Sequence, residues 1–400
     1  MTKDRDLFDY IDTPTHKVIL SSKVVEDSIT QEVERIFDFN CEGGVTETVT
    51  IPKFPDKYQI GLIVGSSGSG KTTILKNSFG NEEFVEWDEK KSIASHFSSF
   101  EEASNKFGAV GLNSIPTWLK PYHVLSNGEK FRADMAARLN SGAVIDEFTS
   151  VVNREVAISC SVSIEKYIRR NGLHNITFAS CHDDIIPYLR PDWIYNTDTQ
   201  EFYNGRYLCR PEIRINIVPC NRKAWDMFKR HHYLSGKLNS SSVCYLGLYK
   251  DIPIAFVAAL AFPRKGLKHA WREHRLVVLP DYQGMGIGNV FSEAIAQAYI
   301  ENGCRYFSKT ANVRCGRHRD NSPLWRGTSH NHKSRTDYFD SNDQARGNAK
   351  YRQSDEYLKY HAKRVCYSHE YIGNGTRYEY KEVTNSQATQ QMNIYDYISR

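Results

Sequence analysis

The sequence GSSGSGKT at residues 65–72 constrains the fold of this chain more than any other feature. It has the form GxxxxGK[ST], and it lies between an apolar strand pattern at residues 58–64 and a predicted helix. Glycines at these positions let backbone N–H groups turn inward around phosphate oxygens, and the following helix adds its positive N-terminal end. The spacing therefore predicts a phosphate-binding loop that joins a strand to a helix in an α/β fold.

The chemistry of this loop predicts ATP and Mg²⁺ as its ligands. Lys71 is expected to reach the β- and γ-phosphates, where it acts in catalysis, and the Thr72 hydroxyl is expected to ligate Mg²⁺. The residues predicted to line the nucleotide are Gly65, Ser66, Ser67, Gly68, Ser69, Gly70, Lys71, Thr72 and Thr73.

Two carboxylates follow a second short apolar strand at residues 143–145. Asp146 is placed to give the second protein contact to Mg²⁺, because that carboxylate comes from the end of a neighbouring buried strand. Glu147 is then predicted to lie beside the γ-phosphate, where it can polarise a water or a substrate hydroxyl. The alternative for this acidic pair is a cap on the next turn.

Length and composition fit a folded protein of two to three domains. The chain has 400 residues, of which 40% are hydrophobic and 25% are charged, and this excludes wholesale disorder. The longest clean apolar run, residues 254–262, is too short for a membrane span of about 20 residues, and we expect no secretory leader. Nine cysteines without a CxxC pair favour a reducing cytoplasm over a disulfide scaffold or a zinc ribbon.

The strand and helix patterns divide the chain into two predicted domains and a tail. Strands at 58–64, 143–145 and 175–179 alternate with helices at 130–139 and 161–170, which predicts a mostly parallel sheet over residues 1–205. A second α+β pattern covers residues 211–338, with strands at 213–218, 243–248 and 254–260, a turn at 251–253 and a helix at 289–299. Residues 339–400 form a polar, tyrosine-rich tail, and the sequence leaves open whether this tail folds onto the body.

The first domain resembles an ABC-class ATPase. The sequence LSNGE at residues 125–129 resembles the LSGGQ signature of that class, and His182 matches the histidine that follows its last core strand. The resemblance implies that Ser126 and Gly128 bind nucleotide held by a second subunit, so an ATP-dependent homodimer is expected. It also implies that His182 contacts the γ-phosphate. The pattern departs from a transporter cassette, since no glutamine occurs between Leu75 and Leu125.

A second glycine loop, QGMGIG at residues 283–288, follows an apolar strand and precedes a helix. It resembles the acyl-CoA pyrophosphate loop of GNAT acetyltransferases, again through backbone amides and a helix N-terminus. The resemblance implies a GNAT-like α+β domain that binds acetyl-CoA or another acyl-CoA through Gln283, Gly284, Gly286 and Gly288.

Two polar clusters near this loop are candidates for a second site. One contains His231 and His232, and the other contains Glu273 and His274 on the strand that leads into the loop. Such groups serve as a general base or bind a metal, and the alternative is that they satisfy each other in a cleft. The basic stretch at residues 305–335 predicts either a solvated loop or an anion-binding face for the phosphates of a cofactor or a nucleic acid, and the interleaved Tyr306 and Trp325 could stack on bases.

The fusion of an ABC-like domain with a GNAT-like domain resembles a family of phage DNA-modification proteins. The GNAT half is similar to Mom-type proteins, and the P-loop half is similar to phage kinases that phosphorylate 5-hydroxymethyluracil in DNA. This implies a kinase for that base, on the route to hypermodified thymidines that resist restriction, in the host cytoplasm if the gene is of phage origin. The net charge of +5 is compatible with a DNA partner.

Two alternatives to the DNA kinase stay open. One is an acyltransferase that acts on nucleic-acid bases and is gated by the ATPase. The other is an ATP-gated DNA clamp without base chemistry, which dimerises through residues 125–129. No membrane partner is expected in any of the three hypotheses.

Overall fold

The structure is a computed structural model that describes residues 7–23, 25–38, 44–206, 210–232, 237–263, 266–334 and 365–373. The chain divides into two compact units, Met1–Glu212 and Ile213–Arg400. No helix in these described segments is long and apolar enough to cross a membrane. The predicted combination of an α/β unit and an α+β unit is confirmed.

The first unit is an α/β unit built on a six-stranded sheet. Its strands are β1 (Leu7–Tyr10), β2 (Thr15–Lys23), β3 (Gly44–Pro52), β4 (Ile60–Val64), β5 (Val144–Ile145), β6 (Ile176–Ser180), β7 (Trp193–Asn196) and β8 (Glu201–Arg206). Its helices are α1 (Ser28–Phe37), α2 (Lys71–Ser78), α3 (Phe100–Ala109), α4 (Ile115–Trp118), α5 (Asn127–Arg138), α6 (Arg154–Asn171) and α7 (Ile186–Leu189). Short 3₁₀ turns occur at Ile93–His96 and Tyr122–Val124.

In this sheet, β6 lies between β4 and β5, the two strands that lead into the predicted phosphate site. The order is β1-β8-β7-β4-β6-β5. Strand β4 runs parallel to both of its neighbours, β6 and β7, and β5 runs parallel to β6. The carboxyl ends of β4, β5 and β6 therefore meet at one edge of the sheet, where ligands bind in open α/β folds. Strands β2 and β3 form a separate antiparallel ribbon.

Burial on both faces explains the continuous apolar sequence of β4. Alternate residues Ile60, Leu62 and Val64 pack in one core with α3, α5 and α6, while Ile63 packs in a second core with Trp193. A parallel strand covered on both faces has no polar side, so its sequence does not alternate. This is why the strand could be predicted from the apolar run.

Helix α6 is longer than predicted. The sequence predicts a helix at 161–170, whereas α6 begins at Arg154 because the Asn153 side chain accepts a hydrogen bond from the backbone N–H of Val156. It ends at Gly172, whose φ of +63° is the left-handed conformation typical of helix ends.

The second unit is an α+β unit on a larger sheet. Its strands are β9 (Asn216–Cys220), β10 (Val243–Tyr249), β11 (Ile252–Ala261), β12 (Ala270–Val278), β13 (Arg305–Thr310), β14 (Trp325–Gly327), β15 (Lys333–Ser334) and β16 (Val365–Tyr371). Its helices are α8 (Trp225–Phe228), α9 (Ile287–Glu301) and α10 (Val313–Asn321), with 3₁₀ turns at Arg222–Ala224, Lys229–His231 and Pro280–Tyr282.

The strand order of the second sheet is β14-β16-β13-β12-β11-β10-β9, and β15 also pairs with β16. All neighbours are antiparallel except β12 and β13, which run parallel. Strand β16 lies in the segment that the sequence assigns to the tail, yet it is inserted between β13 and β14. Residues 365–371 therefore complete the sheet. The rest of the predicted tail, apart from Ile372 and Gly373, lies outside the described residues.

The turn between β10 and β11 is shorter than predicted. Lys250 and Asp251 both have positive φ, +48° and +65°, which is the conformation of a two-residue hairpin turn. Strand β11 begins directly after them, so Pro253 lies in the strand rather than in the turn. It pairs with Leu248 where the register shifts, and a bulge of this kind tolerates a residue without an N–H.

Candidate functional site

The loop after β4 has a backbone shape that two of its glycines make possible. Gly65 and Gly70 have φ of +155° and +89°. A β-carbon on Gly65 would lie 1.9 Å from the hydroxyl oxygen of Thr197, and one on Gly70 would lie 2.9 Å from the Val49 side chain. Neighbouring elements therefore close tightly around both positions, and any other residue would force the loop to move.

Lys71 is held inside this loop. Its side chain is buried, and its ammonium donates hydrogen bonds to the carbonyl oxygens of Gly65 at 2.9 Å and Ser66 at 2.5 Å. The ammonium group thus lies at the N-terminus of α2, which also favours binding of an anion.

Thr72 and Asp146 meet although they are 74 residues apart. The Thr72 hydroxyl donates to Asp146 Oδ2 at 2.6 Å, and the Glu147 backbone N–H donates to Asp146 Oδ1 at 2.8 Å. A hydroxyl and a carboxylate side by side are hard oxygen ligands of the kind that Mg²⁺ prefers. The two predicted metal ligands are therefore in contact.

Glu147 and His182 lie at the same edge of the sheet. Glu147 is exposed, and its backbone has a positive φ of +48°. The backbone of Phe148 donates to the carbonyl of Ala179 at 2.8 Å, and Thr149 Oγ1 lies 3.4 Å from His182 Nδ1. These contacts tie the loop that carries Glu147 to the end of β6, which carries His182.

The predicted signature residues lie away from this edge. Ser126 is the N-cap of α5 and forms a capping box with Glu129. Arg138, at the opposite end of the 12-residue helix, pairs with Glu82 close to Asp146. A helix of this length spans about 18 Å, so Ser126 and Gly128 are about one helix length from the metal ligands of their own chain.

Two residues that contact the glycine loop were missed by the sequence analysis. Asp198 accepts hydrogen bonds from the Ser66 backbone N–H at 2.8 Å and from the Ser66 hydroxyl at 2.7 Å, and Thr197 lies 2.6 Å from the Ser69 hydroxyl. These hydrogen bonds from Ser66 lower the pKa of the Asp198 carboxyl. Both residues lie in the turn after β7, whose polar sequence carries no signal beyond that of an ordinary turn.

The second glycine loop joins β12 to α9. Gly284 and Gly286 have φ of +91° and +97°, and Gly286 is the N-cap of the 15-residue helix α9. Gln283 donates from its side chain to the Val278 carbonyl at 2.8 Å, which fixes the start of the loop. The loop and the helix end thus present backbone N–H groups, as a diphosphate requires.

Strands β12 and β13 pair only at their beginnings. The parallel ladder joins residues 270–272 to residues 305–307, although β12 continues to Val278. Beyond Arg272 the two strands lack ladder hydrogen bonds to each other. The sheet is therefore open on this side of β12, next to the glycine loop.

Glu273 lies at this opening, and its carboxylate is hydrogen-bonded to three neighbouring side chains. Its carboxylate accepts hydrogen bonds from Arg319 at 3.0 and 3.1 Å, from Ser292 at 2.5 Å and from Ser308 at 3.3 Å. The Arg319 side chain is buried and also lies 4.5 Å from the centre of the Trp325 ring. This carboxylate is one half of a buried ion pair rather than a free base.

His274 faces the other side of the sheet. It is the extra residue of a bulge between β11 and β12, and its Nε2 accepts a long hydrogen bond of 3.4 Å from the Asn239 backbone. Burial and the neighbouring Arg275 and Arg272 guanidinium groups lower the pKa of His274 to about 4. The imidazole is therefore neutral at pH 7.

His231 and His232 follow α8, which packs on β11. His231 Nε2 accepts from Arg230 at 3.0 Å, and the His232 ring meets Trp225 edge-on at 5.7 Å. Trp225 shares its core with Ala258 and Val277, away from the Glu273 pair. The prediction of a single set with Glu273 is therefore corrected. Residues 233–236 of the same cluster lie outside the described residues.

The described part of the basic stretch, residues 305–334, is not a single loop. It forms β13, α10, β14 and β15, and several of its cations are neutralised within the unit. Arg305 and Arg326 both pair with Glu370 at 2.6 and 2.7 Å. Tyr306 and Trp325 are buried, so neither ring can stack on a base. Base stacking on these two rings is therefore not supported, and a nucleic-acid face at this stretch stays a prediction.

One family model matches part of the chain, and the match lies mainly in the second unit. Residues 210–316 match the model of the Acetyltransferase (GNAT) family. A search of curated proteins returns no match.

Similar solved structures occur for both units. A dimeric bacterial ABC transporter cassette shares 12% identity, with a TM-score of 0.30, over 38% of this chain and 87% of the other. A ribosomal-protein alanine N-acetyltransferase from Escherichia coli shares 9% identity, with a TM-score of 0.27, over 41% and 100%. A Bacillus subtilis acetyltransferase in complex with CoA shares 10% identity, with a TM-score of 0.26, over 40% and 98%.

TM-scores this low carry no argument, so the description of the two units rests on their strand order and on the family match. The chain combines a P-loop NTPase-like α/β unit with a GNAT domain at residues 210–316.

Proposed function

We propose that the first unit binds and hydrolyses ATP with Mg²⁺ in the manner of an ABC-type ATPase. The observation that carries this proposal is the contact between Thr72 and Asp146 beside the buried Lys71. Two hard oxygen ligands and a phosphate-binding cation meet there at the N-terminus of α2. This combination is what nucleotide phosphates and their metal need.

Each residue of the site has a distinct task. The loop N–H groups and Lys71 hold the phosphates, while the Thr72 hydroxyl and the Asp146 carboxylate hold Mg²⁺. The metal neutralises charge on the phosphates when it is bound. Glu147 orients the attacking water, and His182 hydrogen-bonds the terminal phosphate.

The signature helix α5 serves a second copy of the chain. Because Ser126 lies at the far end of α5 from Asp146, it cannot complete the phosphate site of its own chain. Its exposed helix N-terminus is instead available to the nucleotide of a partner chain, as the resemblance to ABC-class ATPases implies. The active form of the first unit is then a homodimer.

Hydrolysis of ATP by the purified protein tests this proposal. Lys71→Ala removes the phosphate-binding cation, and Lys76→Ala removes an exposed cation from the same helix. We expect hydrolysis in the unsubstituted protein and in Lys76→Ala, and its loss in Lys71→Ala. Equal rates in the two variants would contradict the proposal.

We propose further that the GNAT domain transfers an acyl group from acyl-CoA to an amine. The family match and the positive-φ glycines at the start of α9 support this activity. His274, neutral at pH 7, would accept the proton of the attacking amine and return it to the CoA sulfur, so that the thioester C–S bond breaks as the amide C–N bond forms and CoA leaves as its thiol.

Binding of acetyl-CoA tests the second proposal. Gly286→Ala strains the loop at a φ of +97°, and Gly303→Ala imposes a similar strain at +71° just after α9. Calorimetry should show acetyl-CoA binding to the unsubstituted protein and to Gly303→Ala, with about tenfold weaker binding to Gly286→Ala. Equal affinity in all three proteins would contradict the proposed cofactor loop.

Phosphorylation of 5-hydroxymethyluracil in DNA stays a prediction from the family resemblance. ATP labelled at the γ-phosphate, incubated with duplex DNA that contains either 5-hydroxymethyluracil or thymine, tests it. Label on the hydroxymethylated DNA alone, lost in Lys71→Ala, is the result that supports a kinase. Free phosphate with unlabelled DNA excludes it.

A further inference from the structure

Strand β5 is a strand of only two residues at the edge of its sheet, and within the described segments no strand pairs with its second edge. Its other edge is paired with β6 at Thr177 and Phe178. The free edge presents the carbonyl of Val144 and the N–H of Asp146, two positions that point the same way in an extended chain. Asp146 is the metal-binding carboxylate, so whatever holds this edge also holds the metal site.

Two side chains take the place of a neighbouring strand. Arg138 donates to the carbonyl of Val144 at 3.4 Å, and Glu82 accepts from the N–H of Asp146 at 3.0 Å. Arg138 and Glu82 also form an ion pair with each other, and their side chains are only 11% and 19% exposed. Burial lowers the pKa of Arg138 to about 10, so the guanidinium stays charged at pH 7.

Arg138 is the last residue of α5, the helix that begins after Ser126. A 12-residue helix is rigid along its axis, so a displacement of its N-terminus moves its C-terminus as well. The contacts therefore form a continuous connection from Ser126 through α5 to Arg138 and Glu82. From Glu82 the connection continues to Asp146, which holds Thr72 at 2.6 Å.

We propose that the Glu82–Arg138 pair couples the signature helix to the metal-binding carboxylate. When Ser126 engages nucleotide of a partner chain, α5 and the ion pair hold Asp146 in its hydrolytic position. Glu82 and Arg138 are positioning residues, since neither contacts the reacting atoms. This inference rests on the proposed ATP hydrolysis and names a regulation of that same site.

A purely structural role for the pair predicts different behaviour. If the pair only covers the edge of β5, its loss lowers the stability of the first unit and acts independently of Ser126. If the pair couples the two ends of α5, its loss lowers kcat and leaves the affinity for nucleotide largely intact. The effect also disappears once Ser126 no longer engages phosphate.

The first test compares Glu82→Gln with Glu83→Gln. Glutamine at position 82 still accepts the Asp146 N–H but has no charge for an ion pair with Arg138, while Glu83 is an exposed neighbour and serves as the control. We expect kcat for ATP hydrolysis to fall about tenfold in Glu82→Gln. The Kd for Mg·ATP should stay within about twofold, and Glu83→Gln should behave as the unsubstituted protein.

The second test combines Glu82→Gln with Ser126→Asp. Aspartate keeps the N-cap of α5 but places a negative charge where the partner's phosphate would lie. We expect Ser126→Asp to lower kcat and Glu82→Gln to have no further effect in that background. Multiplicative losses in the double variant would overturn the coupling.

The proposed hydrolysis and the coupling fail in different ways. Hydrolysis by the unsubstituted protein with an unchanged kcat in Glu82→Gln would overturn the coupling alone. Absence of hydrolysis in the unsubstituted protein would overturn the proposed function and the coupling with it.

Discussion

At the scale of single residues, Asp146 is held through both its backbone and its carboxylate. Its N–H donates to Glu82, its Oδ1 accepts from the Glu147 backbone, and its Oδ2 accepts from Thr72. The last two contacts orient the carboxylate, and the first fixes the backbone that carries it. A metal ligand held this way needs little reorganisation when the ion binds, which is how partners of a metal ligand raise the affinity of a site.

The phosphate loop is braced in a similar way by Asp198, and this gives the first prediction. Asp198→Ala removes two charge-assisted hydrogen bonds to Ser66 and should weaken Mg·ATP binding about tenfold. Asp198→Asn keeps an oxygen acceptor for the Ser66 N–H, so its affinity for Mg·ATP should lie between that of the unsubstituted protein and that of Asp198→Ala. Calorimetric titration measures all three proteins. Tighter binding in Asp198→Ala would show that the carboxylate repels nucleotide instead of bracing the loop.

The lowered pKa of His274 predicts a pH dependence of stability. Its pKa is about 4 in the folded protein, below the ordinary value of 6.5, so between pH 6.5 and 4 the unfolded chain binds more protons at this residue. Stability therefore rises with pH across this window, and the stabilisation is lost as the pH falls through it. Urea unfolding of the second unit at several pH values should show a shallower dependence in His274→Gln. Parallel curves for the two proteins would contradict the assigned pKa.

At the scale of elements, the opening between β12 and β13 is spanned by side chains. The ladder ends at Arg272, and the next residue, Glu273, reaches Ser308 on β13 directly and through Arg319 on α10. The ion pair therefore holds the diverging strands and α10 together where backbone hydrogen bonds are missing.

Loss of one partner of this pair should destabilise the second unit strongly. Arg319→Met leaves Glu273 buried without its cation, which costs about 3–5 kcal/mol of unfolding free energy. Arg317→Met removes an exposed arginine two residues earlier on the same helix and should change stability little. Urea denaturation followed by tryptophan fluorescence measures both. A loss below about 1 kcal/mol in Arg319→Met would contradict a buried ion pair.

The elements that could be predicted from sequence are those with strong local signals. Strand β4 and the two glycine loops were found because an apolar run, fixed glycine spacing and a following helix coincide. Strand β16 was missed, since its residues pair with β13 and β14, whose sequences lie more than 30 residues away. The partners of the charged residues in the basic stretch could not be predicted for a related reason. Nothing in the local sequence tells that Arg319 turns inward to Glu273 or that Arg305 and Arg326 share Glu370.

The site in the first unit was predicted more completely than the site in the second. Lys71, Thr72 and Asp146 lie in motifs whose spacing reflects one shared geometry, and the structure brings them together. Asp198 and Glu82 were not predicted, because each acts through contacts with residues distant in sequence and neither lies in a motif. Glu273 and His274 are adjacent in sequence, and because side chains alternate along a strand, they lie on opposite faces of the sheet and do not form one site.

At the scale of the whole molecule, the chain combines two units that each carry a glycine loop. Each loop follows a strand and opens a helix, one at Gly70 and the other at Gly286. We propose ATP as the ligand of the first loop and acyl-CoA as the ligand of the second. We also propose that the ATP site is incomplete in one chain and is completed by the signature helix of another, and this is the central claim.

The mass of the Glu147→Gln variant in solution, with and without Mg·ATP, tests this claim most directly. This substitution should slow hydrolysis, so that the ATP-bound state persists long enough for analytical ultracentrifugation. We expect a mass of 46.0 kDa without nucleotide and twice that value with Mg·ATP, and no doubling when Ser126→Asp is added. A variant that binds ATP and stays at 46.0 kDa at every protein concentration would contradict the claim.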